Sequence, residues 1–218
     1  MQVVSLVTQK GGSGKSTLSL SLGVAAHQAG MNTLLIDLDP QGTLSRWYDR
    51  REAETPAVGT MNPSALANAL QGLEGQGYDI VFIDTPGRDD AVTSSVIAHS
   101  DFCLIPCRPS LPDIEAVQPT AAGIARMNKR HAFVLNQTQP RGFGIGSRIN
   151  EAERVLRQLG TVAPVAIVAR NDHQDAQGLG LGVTEFQEKG KAAHEVHRLW
   201  NWLKSELGEM HHAQARTA

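Results

Sequence analysis

Hydrophobic residues along the chain fall into short continuous runs that alternate with segments of helical periodicity. Continuous apolar runs are typical of parallel strands covered on both faces, and apolar residues at helical spacing predict amphipathic helices. Strands are predicted at residues 3–7, 33–36, 78–83, 101–106, 132–135 and 161–168, and helices at 18–29, 64–73, 110–127, 150–159 and 189–207. This alternation predicts an α/β fold: a doubly wound, mainly parallel sheet with helices on both faces.

The segments between these elements predict connections and one tail. A short helix is expected from Gly42, and residues 46–56 are charged and irregular. Residues 171–182 are predicted to form a loop with one helical turn. The length suits a single domain, which we assign to residues 1–208, followed by a polar and frayed C-terminal tail at 209–218.

The stretch from Gln9 to Thr17, QKGGSGKST, lies between the first predicted strand and the first predicted helix. A glycine-rich turn at such a junction cradles phosphate, because backbone N–H groups turn inward and the helix N-terminus adds positive potential. Lys15 is placed to reach the β- and γ-phosphates, and the Ser16 hydroxyl is placed to ligate Mg²⁺. The stretch therefore indicates a phosphate loop rather than a glycine-rich hairpin with solvated lysines.

This loop departs from the usual pattern G-x-x-x-x-G-K-[ST]. Gln9 occupies the first glycine position, and Lys10 follows it. The variant K-G-G-x-G-K-[ST] resembles the deviant phosphate loop of the ParA/MinD family of ATPases. In that family the first lysine reaches across a dimer to the partner's nucleotide. The resemblance implies this role for Lys10, with ATP and Mg²⁺ as cofactors.

Two acidic motifs extend the resemblance. The sequence DLDPQ at Asp37–Gln41 follows the second predicted strand, at the strand end where parallel sheets bind ligands. It resembles the second signature of the ParA branch, which implies that Asp37 lies near the Mg²⁺ shell and that Asp39 positions the attacking water. Asp84 ends a buried strand and is placed to hold Mg²⁺, through water. The following Thr85–Gly87 resembles a switch segment that senses the γ-phosphate.

Two later strand ends are candidates for contacts with the base. By the resemblance, Asn136 reads the adenine ring, although a turn-forming asparagine fits that position equally well. Arg170 ends the last predicted strand, near where the family closes over the base. The expected nucleotide-binding residues are Gly11, Gly12, Ser13, Gly14, Lys15, Ser16, Thr17, Asn136 and Arg170; the expected catalytic residues are Lys10, Lys15 and Asp39; and the expected metal-site residues are Ser16, Asp37 and Asp84.

The resemblance covers nearly the whole chain and is to a short ParA, the kind without an N-terminal helix-turn-helix extension. It implies a homodimer that forms with ATP, binds duplex DNA non-specifically, and is released when a ParB-like or other partner stimulates hydrolysis. That cycle would drive plasmid or chromosome partition by a cytoplasmic, nucleoid-associated protein. Positioning of a non-DNA protein cargo stays open as an alternative.

The formal net charge of −2 gives the chain no bulk affinity for nucleic acid or membrane. Contact with DNA would depend on local basic residues that bind phosphates, and ordinary solvated charge explains each of them at least as well. The candidates are Arg141, Arg148, Arg154, Arg157, Lys189, Lys191, Arg198 and Lys204.

Other classes of this fold lack their markers here. A MinD-like membrane ATPase would end in a basic, apolar amphipathic anchor, which residues 210–218 do not provide, so no membrane partner is expected. An iron–sulfur carrier would need bridging cysteines, but Cys103 and Cys107 belong to a predicted strand and its end and fit a reducing cytoplasm. A bacterial tyrosine kinase would carry a tyrosine-rich tail, and the tyrosines here are Tyr48 and Tyr78. A small-molecule ligase or kinase of the dethiobiotin synthetase kind stays open.

Overall fold

The computed structural model describes residues 1–87, 90–140 and 145–217, with side chains for these residues except 145, 147 and 209–217. The strands are β1 (Gln2–Leu6), β2 (Thr33–Asp37), β3 (Ala57–Thr60), β4 (Ile80–Asp84), β5 (Phe102–Cys107), β6 (Arg130–Leu135) and β7 (Thr161–Val162). The helices are α1 (Lys15–Gln28), α2 (Thr43–Tyr48), α3 (Leu66–Leu73), α4 (Asp90–Ala98), α5 (Leu111–Arg126), α6 (Ile145–Leu159), α7 (Asn171–Gly178), α8 (Val183–Phe186) and α9 (Lys191–Thr217). Single 3₁₀ turns precede and follow α3.

The seven strands described form one sheet in the order β3-β2-β4-β1-β5-β6-β7. All of their pairings are parallel. From β1 the chain moves outward on one side to β2 and β3, and later on the other side to β5, β6 and β7. The carboxyl end of β1 is therefore a topological switch point, where doubly wound sheets bind ligands. The predicted fold class is confirmed.

Helices cover both faces of the sheet, and each face has its own core. On one face α1, α2, α8 and α9 enclose a cluster that includes Phe82, Trp47 and Trp200. On the other face α3, α4, α5 and α6 enclose a cluster that includes Ile105, Phe133 and Leu156. Strands β2, β4 and β5 are buried along their whole length, which explains their continuous apolar sequence.

Strand β3, helix α4 and the short helix α8 are absent from the sequence prediction. Strand β3 lies at the sheet edge beside β2, and its residues are half-buried or exposed, so it lacks the apolar run that marks a buried strand. Helix α4 has the sequence DAVTSSVIA, and only Thr93, Val96 and Ile97 are buried. Its polar and β-branched residues give weak helical periodicity.

Element boundaries also differ from the prediction, most clearly at the last strand and the last helix. The predicted strand at 161–168 is a regular strand only over β7, since Pro164 has no N–H for the ladder; the chain then continues beside β6 through bonds from Ala163 N to Phe133 O and from Ile167 N to Leu135 O. Helix α9 extends to Thr217, well past the last apolar position of its stripe. The predicted frayed tail is thus helical over 209–217, while the domain boundary at residue 208 stays a prediction.

Candidate nucleotide-binding site

The phosphate loop lines a cavity of about 660 Å³ at the carboxyl end of β1. Its lining includes residues Gly11 to Thr17 together with Asp39 and Gly87. Gly14 has φ of +90°, and a Cβ there would lie 2.3 Å from Asn136 Nδ2, so only glycine fits this position. Helix α1 begins directly at Lys15, so its N-terminal amides face the cavity.

Lys15 lies deep in this cradle. The side chain is 6% exposed, and Nζ donates a hydrogen bond to Thr8 O at 3.3 Å. Burial lowers the pKa of Lys15, while the nearby charges of Asp84 and Asp39 act in the opposite direction. The Thr8 carbonyl is the one acceptor of the ammonium among the described residues, so donors are left over for phosphate oxygens. This placement agrees with the role predicted for Lys15.

Asp84 is fully buried at the end of β4 and is the most unusual group in the site. Neither carboxylate oxygen has a hydrogen-bond partner of normal geometry among the described residues. Burial raises the pKa of Asp84 to about 7; the Ser16 hydroxyl and Lys15 oppose this shift, and Asp37 and Asp39 reinforce it. An unpartnered buried carboxylate beside other acidic groups is a site that a cation would complete.

The donor set of the site fits Mg²⁺ in combination with phosphate oxygens and water. The described residues contain no group of three or more His, Cys, Asp or Glu side chains able to hold a metal on its own. Mg²⁺ usually keeps several waters and binds through one or two carboxylates and the substrate's phosphates. Ser16 and Asp84 are therefore the residues that would hold it.

Asp37 and Asp39 shape the turn after β2. Asp37 accepts hydrogen bonds from Asp39 N at 3.1 Å and from Ser45 N and Ser45 Oγ, both at 3.0 Å. These contacts show that Asp37 braces the turn, as Asp commonly does, and its place near the Mg²⁺ shell stays a prediction. Asp39 accepts a bond from Gln41 N at 2.9 Å and faces the phosphate cavity, as a water-positioning residue should.

The predicted switch segment lies against the phosphate loop. The Thr85 hydroxyl donates to Leu6 O at 2.8 Å, which ties the end of β4 to β1. At Gly87 an added Cβ would lie 3.4 Å from Gly11 Cα and 3.8 Å from Lys15 Nζ. A phosphate bound at Lys15 would therefore lie close to this segment.

Lys10 does not line the phosphate cavity described above. Its ammonium forms an ion pair with Asp113 of α5, with Nζ 2.7 Å from Oδ1. Arg108, at the end of β5, approaches the same oxygen with Nε at 3.4 Å. Lys10 is thus the one predicted catalytic residue that the structure places outside the pocket.

A smaller cavity of about 260 Å³ adjoins the phosphate loop at Gly14 and Thr17. Asn136 lines it, and its Nδ2 donates to Ser13 O at 2.7 Å, so this amide supports the phosphate loop. Arg170 also lines it, and its Nη2 is held by Glu195 Oε1 at 2.7 Å. Both residues are beside a space that could accept a base, and contact with adenine stays a prediction.

Gln137 and His173 are site residues that sequence reasoning missed. Gln137 lines both cavities, and its Nε2 donates to Gly12 O at 3.0 Å from a backbone with φ of +52°. The signal available in the sequence was the pair of polar residues, Asn136 and Gln137, directly after a predicted strand. His173 lines the smaller cavity, and neither ring nitrogen has a partner among the described residues. Burial lowers its pKa, and no sequence feature distinguished it.

The candidate DNA contacts among the described residues are exposed but do not share one surface. Arg141 lies outside the described residues. Arg148, Arg154 and Arg157 belong to α6, and Arg157 Nη2 pairs with Glu153 Oε1 at 2.6 Å. Lys191, Arg198 and Lys204 belong to α9, on the opposite face of the sheet, and Lys189 precedes that helix. In one subunit, the two groups cannot contact the same stretch of duplex side by side.

The described helices include none with the length and apolar composition needed to cross a membrane.

Comparisons with known proteins agree with the geometry of the site. The family described as the CobQ/CobB/MinD/ParA nucleotide binding domain matches residues 4–196. Maintenance of carboxysome distribution protein A of Gloeobacter kilaueensis is 31% identical over 94% of this chain and 94% of its own length. The protein of the same name from Halothiobacillus neapolitanus is 31% identical over 88% of this chain and 91% of its own.

A solved structure shows the same fold. The septum site-determining protein MinD of Pyrococcus horikoshii, in complex with Mg-ADP, superposes with a TM-score of 0.76 at 16% identity, covering 95% of this chain and 97% of its own. The matched family spans the phosphate loop, both acidic motifs and the base-side cavity. The chain therefore belongs to the ParA/MinD family of P-loop ATPases.

Proposed function

We propose that this chain hydrolyses ATP with Mg²⁺ and works as a switch that dimerises around two bound ATP molecules. The observation that carries the proposal is the difference between the two lysines: Lys15 is buried inside the phosphate cavity, whereas Lys10 lies outside it and is one-third exposed. A lysine outside its own cavity can serve a nucleotide in a facing subunit, which supports the proposal. The Mg-ADP complex of the MinD relative supports the choice of cofactors.

The proposed reaction uses each residue in one way. Lys15 and the amides of the phosphate loop bind the β- and γ-phosphates, and Asp39 orients the attacking water. Bound Mg²⁺, held by Ser16 and Asp84, would neutralise charge on the phosphates. Lys10 of the facing subunit would add positive charge at the transferred phosphoryl group, as an arginine finger does in other P-loop enzymes. Hydrolysis then requires the dimer.

For the cargo, we propose a protein assembly whose position in the cell the ATPase cycle controls. Two relatives matched over nearly the whole chain carry the name of carboxysome distribution proteins, which supports this choice. The carrier surface would be duplex DNA, bound non-specifically through phosphates, and a partner protein would stimulate hydrolysis. Partition of a plasmid or chromosome is the second candidate, supported by the family match that includes ParA.

DNA binding in this scheme depends on dimerisation. Among the residues described with side chains, α6 has three exposed arginines and α9 has three exposed lysine and arginine residues, on opposite faces, so one subunit should bind duplex weakly. A dimer would present two copies of one group. Charge reversal at Arg148 and Arg154 tests the α6 group, and reversal at Arg198 and Lys204 tests the α9 group. Reversal of only one of the two pairs should weaken the binding of duplex DNA in a mobility-shift assay with ATP. Neither reversal should alter the basal rate of ATP hydrolysis.

The test of the switch is gel filtration with light scattering in ATP and Mg²⁺. Asp39→Ala should bind ATP without hydrolysing it and should accumulate as a dimer, whereas Lys15→Ala should stay monomeric. The exposed Asp49→Ala is the matched control and should behave as wild type. A monomeric Asp39→Ala protein at saturating ATP and high protein concentration would count against the proposal.

A further inference from the structure

Asp113 lies outside the phosphate cavity and contacts the side chains of Lys10, Arg108 and Ser110. It lies in the first turn of α5 and is 7% exposed. Its Oδ1 meets Lys10 Nζ at 2.7 Å and Arg108 Nε at 3.4 Å, and the Ser110 hydroxyl contacts Oδ2. One carboxylate therefore contacts two cationic side chains, Lys10 from the phosphate loop and Arg108 from the end of β5.

The surroundings favour the charged form of Asp113. Burial acts to raise its pKa, but hydrogen bonds from Lys10 and Ser110 and the charges of Arg108 and Lys10 outweigh burial, so the pKa is lowered. Asp113 is thus ionised at neutral pH and attracts Lys10 continuously. Lys10 is one-third exposed, so the pair faces solvent on one side, where another anion can compete.

We propose that Asp113 is a positioning residue that holds Lys10 within its own subunit, so that phosphates of a facing subunit's nucleotide must draw Lys10 away before the dimer is complete. This inference rests on the proposed function, because it assumes that Lys10 acts on the facing nucleotide. Asp113 would set how readily the dimer forms without touching the nucleotide itself.

The size of the effect follows from population arithmetic. Only subunits with a released Lys10 can complete a dimer, and the observed affinity falls with that fraction. A dimer needs two such lysines, so the fraction enters twice. If loss of the Asp113 charge makes release about threefold more frequent, the protein concentration needed for half-maximal dimerisation falls about tenfold.

Asp113 also has a structural use that the test must separate. Ser110 is the N-cap of α5, and its hydroxyl accepts a hydrogen bond from Asp113 N at 3.4 Å. A variant that only damages this cap would destabilise the protein with or without Lys10. A variant that releases Lys10 has its effect only when Lys10 is present, and a double-mutant cycle distinguishes the two.

The experiment measures steady-state ATP hydrolysis against protein concentration, with dimerisation followed by light scattering. Asp113→Asn removes the charge at constant shape, and Glu115→Gln removes an exposed charge from the same helix as the matched control. Asp113→Asn should lower the half-saturating protein concentration about tenfold. Glu115→Gln should leave this concentration unchanged. Adding Asp113→Asn to Lys10→Ala should not lower it. If Asp113→Asn folds poorly, Asp113→Gln takes its place, because it removes the same charge and gives the S-x-x-Q sequence of a capping box.

The possible results separate the two proposals. A wild-type protein that dimerises with ATP, together with an Asp113→Asn protein that matches Glu115→Gln, overturns the role of Asp113 and leaves the proposed function intact. A gain that persists in the Lys10→Ala background also overturns it, because Lys10 is then not the group released. A wild-type protein that shows neither ATP-dependent dimers nor concentration-dependent hydrolysis overturns both.

Discussion

Two pairs of charged residues near the phosphate loop differ in how their charges are partnered: the floor, by which we mean the buried Lys15 and Asp84, and the rim, by which we mean Lys10 and Asp113 outside the cavity. The two floor residues are 6% and 0% exposed, and neither is in ion-pair contact within the described part of the chain. The rim residues are in direct contact at 2.7 Å. The floor is thus incomplete in the free subunit, whereas the rim is already satisfied.

This difference separates nucleotide binding from the later steps. A buried charge without a partner is costly, so a ligand that supplies the missing charge is bound strongly. The floor can receive ATP and Mg²⁺ in a single subunit. At the rim an existing ion pair must first be broken, so engagement of Lys10 requires a second event, which we assign to dimerisation.

The largest expected effect comes from the floor. Lys15→Ala removes the buried cation and leaves phosphate charge uncompensated, which should cost about 3–5 kcal/mol of binding energy for ATP, on the order of a thousandfold in affinity. Calorimetric titration with a non-hydrolysable ATP analogue measures it. Lys10→Ala is the comparison from the rim and should bind the analogue as wild type when the protein is dilute and monomeric. Equal losses in both variants would remove the distinction between floor and rim.

Asp84→Asn should stabilise the ligand-free protein at neutral pH while stopping turnover. The pKa of Asp84 is raised to about 7, so between about pH 4 and pH 7 the folded state holds a proton that the unfolded state has released. The wild type therefore loses stability as pH rises through this window, and the loss is complete above pH 7. Asn carries no charge, so the free energy of unfolding of the variant does not fall in this way. Above pH 7 it should exceed that of the wild type by a few kcal/mol.

Thermal melting of both proteins from pH 4 to pH 8 measures this difference. The gap in melting temperature should be small at pH 4, widen towards pH 7 and then stay constant. The exposed Asp49→Asn is the control and should show no widening gap. If the stability of the wild type instead stays constant relative to Asp84→Asn across this window, the Asp84 carboxylate has a partner in the folded, ligand-free protein, which contradicts this account.

A smaller effect is expected at the junction between the phosphate loop and the base-side cavity. Gln137→Ala removes the bond to Gly12 O, which should weaken ATP binding by about 1 kcal/mol, or roughly fivefold. Asn128 has a similar positive φ of 55° but lies at the C-terminal end of α5, away from the site. Asn128→Ala should therefore affect stability alone. Identical ATP affinities in the two variants would show that Gln137 does not support the loop.

The sequence predicted the floor better than the rim, for a physical reason. The phosphate loop and Asp84 follow buried strands, and their spacing alone fixes their place at the switch point. The contact between Lys10 and Asp113 joins residues about a hundred positions apart, and no local pattern indicates it. For the same reason the sequence could not decide whether Asn136 reads the base or forms a turn. Only the fold shows that its Nδ2 donates to Ser13 O.

The fold itself was predictable wherever strands are buried on both faces. Strand β3 was missed because an edge strand needs no apolar run, and the predicted last strand was too long because Pro164 interrupts it. The charged candidates for DNA contact were the weakest part of the prediction. Sequence shows that Arg154 and Arg198 are basic, but only the topology places them on opposite faces of the sheet.

The central claim is that Lys10 completes the site of the facing subunit, and mixing two inactive variants tests it most directly. Lys10→Ala keeps its own Asp39 but cannot supply the lysine, whereas Asp39→Ala can supply Lys10 but cannot position water. In an equimolar mixture, half of the dimers combine both variants, and each has one complete site, so hydrolysis should return to about a quarter of the wild-type rate per subunit. A mixture as inactive as its two components would contradict the account, as would a Lys10→Ala protein with wild-type activity.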